Sequence, residues 1–163
     1  MKGDSKITAL LNKVLRKELT GINQYFIHSK MCANWGYGAL AKHSRDESID
    51  EMKHADKVIE RILFLEGTPN MSEMDKIRVG KDVRAQLEAD LALETAAVEI
   101  LRPGIDACYE SGDHASRELL ERILEEEEEH IDWIEAQLHQ IREMGYENYL
   151  TTVVARKDGD SKG

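Results

Sequence analysis

Four long stretches of this chain carry apolar residues at helical spacing, and each has a glutamate where an apolar residue belongs. Glu18 interrupts the line Leu11, Val14, Ile22 and Tyr25, and Glu94 interrupts Leu87, Leu91, Val98 and Leu101. Glu51 and His54 share a face with Val58 and Ile62, as Glu127 and His130 do with Leu120, Ile123, Ile134 and Ile141. One such glutamate can reach out to water. Four are harder to place, because an unpaired buried carboxylate costs several kcal/mol or takes up a proton.

The spacing is regular. Glu51 follows Glu18 by 33 residues, Glu127 follows Glu94 by 33, and a histidine stands three residues after each second glutamate. A shift of 76 residues carries the first set onto the second and also carries Gly36, in a turn signal, onto Gly112. In each half the first glutamate lies 18 residues before the turn glycine and the second 15 after it. With a rise of about 1.5 Å per residue, the two differ in height by about one helical turn. Each Glu-x-x-His pair faces one point. All six side chains are therefore expected to meet at the middle of the bundle.

These stretches predict an all-α fold, a four-helix bundle with one long crossover connection and a short C-terminal fifth helix. With 163 residues and only two prolines, the chain suits one domain of long helices. Turns are expected at Trp35-Gly36-Tyr37-Gly38 and around Gly112, and the crossover at 67–82. Gly67 suits the left-handed cap that ends the second helix. Pro103-Gly104 should kink or loosen the third helix. The fifth helix is placed at Tyr149–Ala155, giving a domain of residues 1–157 and a polar tail, 158–163.

A formal net charge of −10 argues against nucleic-acid binding and suits a protein that handles cations. No apolar run is long enough to span a membrane, and the first residues lack a secretory signal, so a cytoplasmic location is expected. Cys32 and Cys108 form no CxxC pair and read as free thiols. Four carboxylates with two neutral imidazoles carry −4, which two divalent cations would cancel. Oxygen and nitrogen ligands without thiolate favour iron or manganese over structural zinc. Paired Glu-x-x-His motifs with two single glutamates are the ligand set of dimetal helix bundles.

The fragments NQYF (23–26), ESIDEMKHADK (47–57), ERILFLEG (60–67) and HIDW (130–133) resemble the bacterioferritin family, and the resemblance runs over essentially the whole chain. It implies a ferroxidase that oxidises ferrous iron with oxygen or peroxide at a dinuclear iron site. The ligands are Glu18, Glu51, His54, Glu94, Glu127 and His130, with Glu51 and Glu127 bridging. Tyr25 has two readings, an electron donor or a core residue with a satisfied hydroxyl. Met52, read alone, is packing or interface; the resemblance makes it the axial ligand of a haem b shared by a subunit pair. The same resemblance implies a homo-oligomeric shell of 24 subunits holding ferric mineral, and a small iron–sulfur ferredoxin as the source of electrons for iron release. Asp46 and Asp50 are candidates for an accessory iron site, and the rest of the run Glu125–Glu129 reads as a solvated face. His28, His43, His114 and His139 lack partners at ligand spacing and read as surface residues; Trp35 and Trp133 read as packing, with a redox role for Trp133 as the lesser alternative.

A haem-binding electron-transfer or shell-forming subunit with little oxidase activity is the competing function, and six intact ligands speak against it. A peroxidase of the rubrerythrin kind usually brings a CxxC segment, which is missing here. A mini-ferritin that coats DNA builds its site between subunits, whereas here one chain carries all six ligands.

Overall fold

The computed structural model describes residues 1–154 and consists there of five helices. They are α1 (Ser5–Asn34), α2 (Gly38–Phe64), α3 (Val83–Glu110), α4 (His114–Met144) and α5 (Tyr146–Thr152). α1 with α2 and α3 with α4 form two antiparallel hairpins, and the hairpins meet through α1 against α3 and α2 against α4. Aspartates cap α1, α3 and α4: Asp4 accepts from the Lys6 N–H, Asp82 from that of Ala85 and Asp113 from that of Ser116. At the two hairpin turns Gly36 (φ +84°) and Gly112 (φ +73°) take the left-handed conformation that favours glycine.

Two local expectations need correction. The end of α2 has Glu66, not Gly67, in the left-handed region (φ +61°). Gly67 is required for space instead, since a Cβ there would lie 2.2 Å from Thr8 Cγ2. Pro103 lies inside α3, which runs unbroken to Glu110. Proline withholds the bond that would go to the Glu99 carbonyl, and both residues are on the exposed face. Gly104 follows on the buried face against the Leu10 side chain. The fifth helix starts three residues earlier than expected because α4 stops at Gly145, and it ends at Thr152. The tail assigned to 158–163 and the last residues of the domain lie outside the described residues.

The core has two apolar parts. One gathers Ile7, Leu11, Leu15, Val58, Ile62, Leu101, Leu120 and Ile123 at the end that holds the α3–α4 turn. The other gathers Cys32, Leu40, Leu87, Ile134, Ile141 and Tyr149 at the end closed by α5. Between them lies a layer of buried acids and histidines. Phe26, Ile49 and Leu63 are apolar but exposed on α1 and α2.

The crossover is long but fastened. Asn12, Arg16, Thr20, Gln24 and His28 stand every fourth residue along α1. Asn12 accepts from the Asn70 N–H, Arg16 pairs with Asp75, and Thr20, Gln24 and His28 accept from the N–H groups of Asp75, Arg78 and Gly80. His28 is thus wholly buried, not a surface residue. Its Nε2 accepts from Gly80, so Nδ1 carries the proton and donates to Asp90 Oδ1 at 2.9 Å.

Candidate metal centre

Each bundle helix delivers its acid from the middle of its length. Glu18 comes from α1, Glu51 and His54 from α2, Glu94 from α3, and Glu127 and His130 from α4. All six side chains are buried, with Glu18 and Glu94 1% exposed and Glu127 fully enclosed. They form two groups. Glu18, Glu51, His54 and Glu127 offer ligand atoms within 4.8 Å of one another, and so do Glu51, Glu94, Glu127 and His130. Glu51 and Glu127 belong to both, which is where bridging carboxylates would stand. His54 Nδ1 is 3.3 Å from Glu18 and 3.0 Å from Glu127. His130 Nδ1 is 3.4 Å from Glu94 and 3.6 Å from Glu51.

The donor atoms fit cations better than they fit each other. Glu51 Oε1, both carboxylate oxygens of Glu127 and His130 Nδ1 are buried without a hydrogen-bond partner. Such groups are rare in folded proteins unless an ion or water completes them. Protons partly fill the role. Burial disfavours a charged His54, but the close approach of Glu127 and Glu18 prevails and raises its pKa to about 11. His130, also opposed by burial, is raised to about 10 by Glu127 and Glu47. Burial, then the Glu18 and Glu127 charges, push Glu51 well above the usual carboxylate range. Burial and the Glu127 charge also raise Glu18. Burial acts upward on Glu127 as well, but the close approach of His130 and His54 outweighs it and lowers the pKa.

A family model for the ferritin-like domain matches residues 8–144. Bacterioferritin of Mycobacterium bovis is 49% identical over 156 residues, covering 96% of this chain and 98% of the relative. Those of Rhodobacter capsulatus (44% over 158 residues, 97% and 98%) and Streptomyces coelicolor (42% over 163 residues, 100% and 98%) are similar along the same length. The chain belongs to the bacterioferritin family.

In this bacterioferritin chain two further acids reach the centre that the sequence did not single out. Glu126 accepts from His54 Nε2 at 2.6 Å, and Glu47 Oε2 makes an ion-pair contact of 2.7 Å with His130 Nε2. Glu126 stays on the solvated face of the Glu125–Glu129 run while one carboxylate oxygen reaches His54. Glu47 was legible in principle, since 47, 51 and 54 share one helix face. Glu126 was not, being one of five consecutive glutamates.

Tyr25 is buried, and its hydroxyl donates to Glu94 Oε1 at 2.5 Å. Burial, then Asp90 and Glu51, raise its pKa well above the ordinary tyrosine value. Asp50 falls in a third group with Glu47 and His130, whereas Asp46 is exposed and bonded to Lys42, outside all three groups. Met52 is 56% exposed on the outer side of α2, one turn from the exposed Ile49. His43 is half-buried and stacks on Trp133 with centroids 3.4 Å apart, so it too departs from a plain surface residue. His114 and His139 are exposed, and Cys32 and Cys108 are free thiols enclosed in the core. No described helix is long and apolar enough to cross a membrane.

Proposed function

We propose that this chain is an iron-storage ferroxidase, oxidising ferrous iron at the buried centre of each subunit. The observation that carries this reading is the pair of ligand groups sharing Glu51 and Glu127, with buried donor atoms left unpartnered. Two ferrous ions are the substrate. Each gives up one electron, and the two together reduce one oxygen molecule, with two protons, to hydrogen peroxide; a second ferrous pair can give that peroxide two more electrons which, with two protons, yield two molecules of water. The chain's own residues hold the ions close together, exclude bulk water and accept positive charge. Ferrous binding displaces the protons from His54 and His130, so the buried site approaches neutrality in both states. Tyr25 stands as an electron donor whose phenolic proton passes to Glu94 along the bond it already makes.

Bacterioferritin relatives at 42–49% identity over nearly the whole chain support iron storage, and we extend it to a 24-subunit shell. Asp50, with Glu47, is proposed as the accessory iron position, and Asp46 does not join it. Met52 is proposed to ligate haem b together with Met52 of a second subunit. A half-exposed thioether beside apolar Ile49 fits a group reached from two chains, and the haem would supply one-electron chemistry there. A small iron–sulfur ferredoxin is the proposed electron source for mineral release.

The test is an anaerobic ferrous titration of metal-free protein followed by oxygen. Binding should saturate at two irons per subunit, with rapid oxidation on mixing. Absence of stoichiometric binding while haem is retained would replace this reading with a haem-carrying shell subunit.

A further inference from the structure

α1, the crossover and α3 border a groove of about 330 Å³. Lys17 of α1 and Asp75, Lys76 and Arg78 of the crossover line one side of it, and Ala89, Ala92 and Ala96 of α3 line the other. The three alanines recur at helical spacing on one face. Their small side chains leave the groove open. Its charge runs against that of the chain, which is −10 overall. The cavity beside His130, on α2 and α4, is lined by Asp50, Glu125, Glu126 and Glu129 against Arg122 alone. Here three cations stand against one acid, and that acid is already answered. Asp75 lies 2.8 Å from Arg16 Nε and 2.6 Å from Lys17 Nζ. Lys76 and Arg78 make no ion pair among the described residues, so two positive charges at the groove have no counter-charge.

Shape and chemistry narrow the ligand. A guanidinium presents a planar fork that meets phosphate oxygens in pairs, and an ammonium adds a point charge. A free oxyanion would occupy only part of a volume that falls in the range of small-molecule sites. The alanine side offers apolar contact and no side-chain donors. We propose that this groove binds an organic phosphate of nucleotide size, with its charged end on Lys76 and Arg78 and its organic part along Ala89, Ala92 and Ala96. The assignment is independent of the metal centre. A ligand seated there ties the crossover to α3 and adds to the hold that the α1 ladder already has on it.

The experiment titrates metal-free chain with ADP by calorimetry, without added divalent ions, and repeats the titration with pyrophosphate, which carries the charge but not the organic part. Native chain should bind one ADP per subunit, more tightly than pyrophosphate, and hydrogen exchange at the crossover amides should slow when ADP is bound. Lys76→Ala combined with Arg78→Ala should weaken ADP at least about tenfold. The fold should survive that change, because both side chains are exposed and the Arg78 N–H that Gln24 accepts belongs to the backbone. Ala92→Leu adds bulk to the groove at an exposed helix position. It should weaken ADP while leaving pyrophosphate binding as in the native chain. Absence of saturable ADP binding to native chain would overturn the proposal. So would ADP affinity unchanged in either variant, which would put the ligand elsewhere, or pyrophosphate bound as tightly as ADP, which would leave the alanine face without a part in binding.

Discussion

His54 and His130 turn Nδ1 toward the shared carboxylates and Nε2 toward a second acid, Glu126 or Glu47. An acid on the far nitrogen holds the proton there, leaves the near lone pair to a cation and strengthens it as a donor. Glu126→Ala should therefore weaken Co(II) binding by about 10–100-fold, checked by titration. Its melting temperature should change little, since Glu126 is itself largely exposed. The same two histidines set a pH dependence. Their folded pKa values, about 11 and about 10, lie above the unfolded value of 6.5, so the stability they contribute to metal-free protein is complete below pH ~6.5. It is lost as pH rises through 10 and 11. The raised Glu51 and Glu18 act in the same direction, favouring the protonated fold. Metal-free protein should thus melt progressively lower from neutral to alkaline pH, and Co(II) binding at neutral pH should release protons, measurable with an indicator dye.

At the scale of the element, the helix stripes and both hairpin turns were legible because apolar periodicity and left-handed glycines are local signals. The ladder Asn12, Arg16, Thr20, Gln24 and His28 was not, although its period of four is plain once seen. Polar residues at that spacing ordinarily mark a wet helix face. Only the crossover lying along α1 turns Asn12, Thr20, Gln24 and His28 into acceptors for backbone N–H groups and gives Arg16 its ion pair, and His28 accordingly reads as exposed until that segment is in place. Gln24→Leu would leave the Arg78 N–H without its acceptor and Asp90 without one donor. The expected loss is roughly 1–3 kcal/mol, with faster hydrogen exchange confined to the crossover amides. Asp113 plays a comparable part at the second turn, capping α4 while accepting from Arg61 of α2 at 2.7 Å. Asp113→Ala should lower stability by about 1–2 kcal/mol, read by urea unfolding, without altering Co(II) stoichiometry.

Across the whole molecule, two apolar clusters enclose a charged middle, an arrangement that favours folding most when cations complete it. Removing metal should lower the melting temperature. Restoring a divalent ion at about 100 times its Kd should return about 2.7 kcal/mol per site, readable as a concentration-dependent melt. Met52→Leu should abolish haem absorption while leaving shell size and iron oxidation intact, because Met52 is outside the bundle and remote in role from its centre. By itself the sequence determined the helices, the 76-residue repeat and the six candidate ligand side chains, since each rests on spacing along one helix or on equal distances from a turn. The tertiary structure decided how those ligands divide into two groups sharing Glu51 and Glu127, and which acids stand behind the histidines. These are contacts between helices. They depend on axial rotation and on approaches of a few tenths of an ångström, which periodicity along a single helix does not encode.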